Sequence, residues 1–108
     1  MTFHKELSTG RWANLSFFEQ MANIGSEVER TISWKKKGNQ GFCQNAFDRA
    51  LELIDLTISM QSKNRVNEIA RTREILVDYF YGKNEYGSTD DLWHRYFHAF
   101  TLAARSGI

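Results

Sequence analysis

Three side chains near the C-terminal end of the chain have the types and spacing of a metal site. Asp91, His94 and His98 occur at i, i+3 and i+7, which places them on one face of a helix. Two imidazoles and a carboxylate are groups that transition metals accept as ligands. A further ligand from another helix is not identifiable, and the Glu-x-x-His pairs of di-iron bundles are missing. We therefore predict a histidine pair at a surface or interface, with no bound metal and no other cofactor.

The single cysteine, Cys43, is the candidate for nucleophilic chemistry. It falls on the apolar stripe of a predicted helix, and His94 and His98 lie in a distant part of the sequence, so no general base is identifiable. Glycine-rich phosphate loops are absent as well. The sequence therefore predicts no catalytic residue.

A polar stripe with a tryptophan at each end is the most distinctive pattern in the chain. Its members recur at intervals of 4, 3, 4, 4, 3 and 4 residues, close to the helical repeat. They are Trp12, Ser16, Glu19, Asn23, Glu27, Arg30 and Trp34. Because tryptophans usually bury most of their ring area, we expect the stripe to be largely withdrawn from water. A stripe withdrawn from water would form an interface with a second copy or another partner, or a groove for a small ligand. The alternative is that the stripe is a solvated charged face.

Arg73 adds a second interpretation of the same stripe. It falls between Ala70 and Val77 on the apparent core face of a helix, and a buried guanidinium requires a carboxylate partner. Glu19 or Glu27 is the expected partner, which would make the stripe an internal network.

Four lysines form a candidate anion-binding site. Antiparallel packing of the predicted helices would gather Lys35, Lys36, Lys37 and Lys83 at one end of the molecule, beside the N-terminus of the last helix. Such an end could bind phosphate or an RNA strand. Favourable interaction of the lysines with a helix C-terminus explains most of the pattern without a ligand.

The elements that would position these residues are four helices. Apolar periodicity, glycine punctuation and the absence of proline predict them at Thr9–Lys37, Gly41–Met60, Asn64–Tyr81 and from a Ser88/Asp91 capping box to Arg105. Gly25 lies inside the first helix on its apolar side and predicts a close helix crossing. Short connections favour an all-α, up-down-up-down four-helix bundle formed by residues 1–108 as one domain.

Composition limits the classes of function. The chain of 108 residues is 42% hydrophobic and 25% charged, as expected for a soluble globular protein. A net charge of +1 argues against a strongly electrostatic partner such as duplex DNA. The single cysteine, the lack of a signal peptide and the absence of a long apolar run predict a cytoplasmic protein without membrane association.

The segments RWANLSFFEQMANIGSEVERTISWKKK, REILVDYF and YGSTDDLWHRYF resemble small helical proteins of prokaryotes to which no function is assigned. The overall plan resembles the HEPN superfamily of four-helix bundles, which includes RNase toxins and partners of minimal nucleotidyltransferases. HEPN nucleases carry an arginine followed by a histidine at a longer spacing than Arg95 and His98, which are three residues apart. Arg71 and Arg73 are not followed by a histidine at the required spacing either. No catalytic residue of that superfamily is therefore assigned.

These observations favour a non-enzymatic binding or assembly module of a prokaryotic cytoplasm, expected to be a homodimer that uses the polar, tryptophan-bearing face of helix one. The alternative is an HEPN-like enzyme that cleaves RNA or handles nucleotides.

Overall fold

The computed structural model describes residues 10–106 of the chain. A short 3-10 turn at Trp12–Asn14 is followed by four helices. These are α1 (Phe17–Lys36), α2 (Gln40–Ile58), α3 (Lys63–Tyr81) and α4 (Asp90–Arg105). Residues 10–106 contain no β-strand, and the helices pack as the predicted all-α four-helix bundle.

The first helix begins later than the sequence pattern predicted. Ser16 is its N-cap: the Ser16 hydroxyl accepts a hydrogen bond from the Glu19 N–H at 3.1 Å, and the Glu19 carboxylate accepts one from the Ser16 N–H at 2.8 Å. This reciprocal pair is a capping box, and it leaves Leu15 in an extended conformation. The prediction of helix across residues 10–16 was therefore wrong. The caps predicted at Ser8 or Thr9 lie outside the described residues.

Trp12 belongs to the core and not to the polar stripe. Its side chain is 1% exposed, and the indole Nε1 donates a hydrogen bond to the Thr57 hydroxyl at 2.9 Å. The buried Gln20 amide donates to the Trp12 carbonyl, and Gln61 donates to the Gln20 side-chain oxygen, both at 2.9 Å. These bonds fix the segment before α1 against the C-terminal end of α2.

The other helix boundaries agree closely with the predicted ones. Asn39 caps α2 by accepting from the Phe42 N–H at 3.0 Å, and α3 ends at Gly82 as expected. The cap of α4 is Thr89, which accepts from the Leu92 N–H at 3.1 Å, one residue after the predicted Ser88.

Helix α1 is the central element of the bundle. It packs closely against α2 on one side and α4 on the other, whereas α3 contacts α2 more loosely. The buried core comprises Trp12, Met21, Ile24, Val28, Ile32, Phe47, Ala50, Leu53, Ile54, Ile69, Leu76, Trp93 and Phe97. Ala70, predicted to face the core, is exposed, and Thr72 and Leu76 are buried in α3.

Gly25 lies at the crossing of α1 and α4, which confirms its predicted role. A Cβ atom at this position would lie 2.7 Å from Cβ and 2.9 Å from Cγ of Phe97. Only a residue without a side chain allows the two helices to approach this closely. No helix within residues 10–106 combines the length and the apolar character that are needed to cross a membrane.

Candidate functional site

The N-terminal half of the predicted polar stripe is solvent-exposed. Glu19 is engaged in the capping box, and the Asn23 amide donates to the Glu19 carbonyl at 2.8 Å. Both side chains are exposed. Our expectation that these groups are withdrawn from water was wrong, because local hydrogen bonds within α1 and its cap satisfy them without burial.

Glu27 is the buried member of the stripe. Its side chain is 8% exposed, and one carboxylate oxygen accepts from Arg49 of α2 at 2.7 Å. The other oxygen pairs with Arg30, one turn along α1. The Arg30 side chain is 58% exposed, so it was not buried as predicted. The contact with Arg49 therefore joins α1 to α2, and Arg30 adds a second guanidinium from α1 itself.

Arg73 does not take part in this network. Its guanidinium forms two hydrogen bonds to the Asp55 carboxylate, at 2.8 Å from Nε and 3.4 Å from Nη2. Both side chains lie at the surface, where they join α3 to α2. The predicted core position of Arg73 and its predicted partners Glu19 and Glu27 were wrong.

The C-terminal end of the stripe carries an aromatic pair. The rings of Trp34 and Phe42 meet edge to face with centroids 4.7 Å apart. The Lys37 ammonium lies 4.8 Å from the Trp34 ring centroid, within the range of a cation–π interaction. Phe42 is 51% exposed although it is held at the start of a helix. We refer to Trp34, Phe42 and Lys37 as the aromatic corner.

The lysines of the predicted anion site are distributed among different partners. The Lys35 ammonium lies 4.4 Å from the Tyr79 ring centroid, and Lys36 lies 3.9 Å from the Asp90 carboxylate. Lys37 belongs to the aromatic corner, and Lys83 is exposed. Asp90 therefore partly offsets the positive charge of Lys36, whereas Lys35 and Lys37 lie beside aromatic rings, which carry no net charge.

Asp90 is the point at which α4 is attached to the rest of the bundle. It accepts a hydrogen bond from the Tyr79 hydroxyl of α3 and lies near Lys36 of α1. Burial of the phenol, followed by the hydrogen bond and negative charge of Asp90, raises the pKa of Tyr79 to about 12. The phenol therefore stays protonated at neutral pH.

A pocket of about 420 Å³ opens between the C-terminal end of α1, the start of α2 and the end of α3. Its lining comprises Thr31, Lys35, Gly38, Gln40, Cys43, Gln44, Phe47, Phe80 and Tyr81. Burial raises the pKa of the Cys43 thiol, and the nearby Lys35 ammonium opposes that rise. A protonated thiol is a poor nucleophile, so this pocket is better suited to binding than to covalent catalysis.

A second, shallower groove of about 300 Å³ lies between α1 and α4. There the Glu29 carboxylate and Nδ1 of His94 are 2.5 Å apart, and His98 and Thr101 line the same groove. The pairing of Glu29 with His94 could not be read from helical spacing, because it joins residues 65 positions apart.

The structure does not bring together the three side chains that suggested a metal site. Asp91 pairs with Arg95 one turn along α4, at 3.1 Å, and His94 pairs with Glu29. Within residues 10–106, no three histidine, cysteine, aspartate or glutamate side chains are placed to share a metal ion.

Comparison of the chain with protein-family models, with curated proteins and with solved structures finds no match. Its function is therefore inferred from the geometry of these surfaces.

Proposed function

We propose that this chain is a non-enzymatic binding module that assembles as a homodimer through the exposed side of α1 and the aromatic corner. The observation that carries the proposal is Phe42, a phenyl ring that is 51% exposed while packed against Trp34. Protein interfaces are enriched in tryptophan, phenylalanine and arginine held on a rigid support. Arg30, one turn before Trp34 on α1, adds an exposed guanidinium to this surface.

The distribution of charge along α1 favours a second copy of the chain as the partner. The exposed side of the helix carries an acidic group, Glu19, near its start and two basic groups, Arg30 and Lys37, near its end. In a dimer with two-fold symmetry, two antiparallel α1 helices would place Glu19 of each copy near the basic end of the other. Such an arrangement pairs opposite charges and brings the two aromatic corners to the edges of the interface.

Sedimentation velocity over a range of concentrations tests this assembly. The wild-type chain is expected to show a concentration-dependent dimer, and Phe42→Ala is expected to weaken dimerisation by about 1 kcal/mol, because a ring at the edge of an interface is only partly desolvated. Leu102→Ala is the matched control, because Leu102 is similarly exposed at 52% but lies on α4. A wild-type chain that remains monomeric, or an equal effect of both variants, would show the proposal to be wrong.

Charge reversal tests the antiparallel arrangement separately. Glu19→Lys and Lys37→Glu should each weaken dimerisation about fivefold, and their combination should restore it, because both intersubunit pairs are re-formed with reversed sign. Circular dichroism of each variant controls for the loss of the Glu19 capping interaction. Failure of the combination to restore the dimer would rule out the antiparallel register.

The Glu29/His94 pair favours the alternative function, an HEPN-like enzyme that cleaves RNA or handles nucleotides. The support comes from the carboxylate–imidazole geometry and not from the HEPN arginine–histidine motif, which the sequence lacks. A carboxylate that holds one ring nitrogen of a histidine leaves the other nitrogen available for acid–base chemistry. His98 lines the same groove and would supply the second proton-transfer group. Under this candidate, His94→Asn and His98→Asn should abolish cleavage of single-stranded RNA, whereas Asp91→Asn on the same helix should retain it. Absence of cleavage by the wild-type chain, with and without Mg²⁺, would eliminate the candidate.

A further inference from the structure

The pocket between α1, α2 and α3 has a distinct aromatic lining. Phe47 is fully buried and forms part of its lining, with Phe80 and Tyr81 on the α3 side. The ring centroid of Phe47 lies 5.0 Å from that of Phe80 and 5.0 Å from that of Tyr81, at interplanar angles of 52° and 62°. Rings at these distances pack against one another, so Phe47 supports the other two from the core side. Phe80, which is partly exposed, and Tyr81, which is half-exposed, are the rings that a flat apolar group in the pocket can reach.

One cationic group lines the same pocket. The Lys35 ammonium lies 5.6 Å from the Phe80 ring centroid and 4.4 Å from that of Tyr79, so it is held beside the aromatic lining. Lys35 and Cys43 both line this pocket, and the Lys35 charge opposes the rise that burial causes in the pKa of the Cys43 thiol. Among residues 10–106, no carboxylate lines the pocket.

Asp48 is an acidic residue that contacts the lining of the pocket through Gln44. Its charge acts on the Tyr81 hydroxyl, and its carboxylate accepts a hydrogen bond from the Gln44 amide at 2.7 Å. Because Asp48 is engaged with Gln44 and does not itself line the pocket, Lys35 is the charged group that a ligand in the pocket would meet.

We propose that this pocket binds a small aromatic carboxylate, with the ring against Phe80 and Tyr81 and the carboxylate facing Lys35. The volume of about 420 Å³ lies within the range of small-molecule sites. The aromatic lining supplies apolar contact, and the ammonium selects an anion over a neutral ring of the same shape. This proposal concerns a site separate from the dimer surface and does not depend on dimerisation.

The test uses 2-naphthoate as the probe and 2-naphthamide, which has nearly the same shape without the charge, as its control. Isothermal titration calorimetry with the full chain should show saturable binding of 2-naphthoate and weaker binding of 2-naphthamide. Lys35→Met should weaken 2-naphthoate binding about fivefold, which corresponds to about 1 kcal/mol, and should leave 2-naphthamide binding unchanged. Lys35→Arg should retain most of the affinity, because it keeps the charge.

Lys83→Met is the matched variant, since it removes an equal charge from an exposed residue that does not line the pocket. It should bind 2-naphthoate like the wild type. An equal loss in Lys83→Met and Lys35→Met would show that only the overall charge matters, and equal binding of the two probes would show an apolar cavity without anion selection. Either result overturns the proposal.

The single cysteine gives an independent readout of the location. Saturating 2-naphthoate should slow the reaction of Cys43 with a thiol-specific disulfide reagent, because the thiol lines the same space. Binding without any protection of Cys43 would place the probe elsewhere on the protein and would contradict the assignment.

Discussion

Glu27 and Glu29 stand two residues apart on α1 and serve different sides of the bundle. Glu27 faces α2, its side chain is 8% exposed, and Arg49 and Arg30 neutralise it. Glu29 faces α4, its side chain is 44% exposed, and its partner is the half-exposed His94. The same residue type on the same helix therefore forms a structural ion cluster on one side and an accessible carboxylate–imidazole pair on the other.

The difference arises from how each side of α1 is closed. On the α4 side, Gly25 permits the Phe97 side chain to pack directly against α1, and the Glu29/His94 pair lies partly exposed beside this contact. On the α2 side, the polar stripe turns inward at Glu27, and burial of its carboxylate requires cations. The Glu29 and His94 side chains thus remain partly accessible to solvent, whereas the Glu27 carboxylate does not.

The largest effect is expected when Arg49, the partner of Glu27 from α2, is removed from the cluster of Glu27, Arg30 and Arg49. Arg49→Met removes the guanidinium but keeps an apolar stem, and should destabilise the fold by about 2 kcal/mol, because a buried carboxylate is left with Arg30 alone. Arg30→Met should cost about 0.5 kcal/mol, since that side chain is mostly in water. Urea unfolding of both variants measures the difference. Equal losses would contradict the unequal roles of the two arginines.

The next effect concerns the closely packed side of α1. Gly25→Ala would place a methyl group 2.7 Å from Phe97, and overpacking should outweigh the gain in helix propensity by about 1.5 kcal/mol. Gly41→Ala is the control, because the nearest atom to its added Cβ is the Asn39 side-chain oxygen at 3.7 Å. It should be neutral or stabilising by about 0.5 kcal/mol. A stable Gly25→Ala variant would mean that α4 can move away from α1 at little cost.

The sequence predicted the helices better than it predicted where the first one starts. The roles predicted for two glycines were correct: Gly25 lies at a close helix crossing, and Gly82 ends α3. A glycine on the apolar side of a helix indicates a close contact, and a glycine just after an apolar stripe indicates a helix end. Trp12 matched the helical interval from Ser16 although it lies in a separate 3-10 turn. The spacing of Ser16 and Glu19 is that of a capping box, and this local signal could have placed the helix start correctly.

The candidate site was less predictable than the fold, since pairing across helices depends on their rotation and offset. Burial of Glu27 and its need for a guanidinium followed from the sequence, but Arg73 was chosen as a partner where the structure has Arg49. The pairing of Glu29 with His94 depends in the same way on the register of α1 against α4. Periodicity predicts on which face of its own helix a residue lies. It does not predict which residue of the neighbouring helix that face will contact.

The environment of the Tyr79 phenol, which is set first by burial and then by Asp90, should make the stability of the fold depend on pH. The pKa of Tyr79 in the folded protein, about 12, lies above its ordinary value of 10. Between these values the folded chain keeps the phenolic proton and the unfolded chain releases it. The stabilising contribution of the Tyr79 phenol to the free energy of unfolding is therefore complete below pH 10 and is lost as the pH rises towards 12.

Urea unfolding at several alkaline pH values measures this contribution. The wild type should lose about 1 kcal/mol more than Tyr79→Phe across the interval, because partial solvation of the phenol reduces the full linkage effect. Comparison with Tyr79→Phe removes the contributions of lysines and other tyrosines that titrate in the same range. Parallel pH profiles for the two proteins would contradict the raised pKa of Tyr79.

The smallest effect is expected at the pair that is most accessible. A double-mutant cycle with Glu29→Gln and His94→Gln should give a coupling free energy of about 0.5 kcal/mol, since both side chains are about 40% exposed and water competes for each group. A coupling above about 2 kcal/mol would place the pair with the buried Glu27 cluster as a structural element. The same variants assayed on RNA complete the comparison. If the pair is weakly coupled but essential for cleavage, its role is chemical. If neither folding nor cleavage depends on the pair, the α1–α4 groove is only a surface contact. That second result would favour the binding function of the aromatic corner.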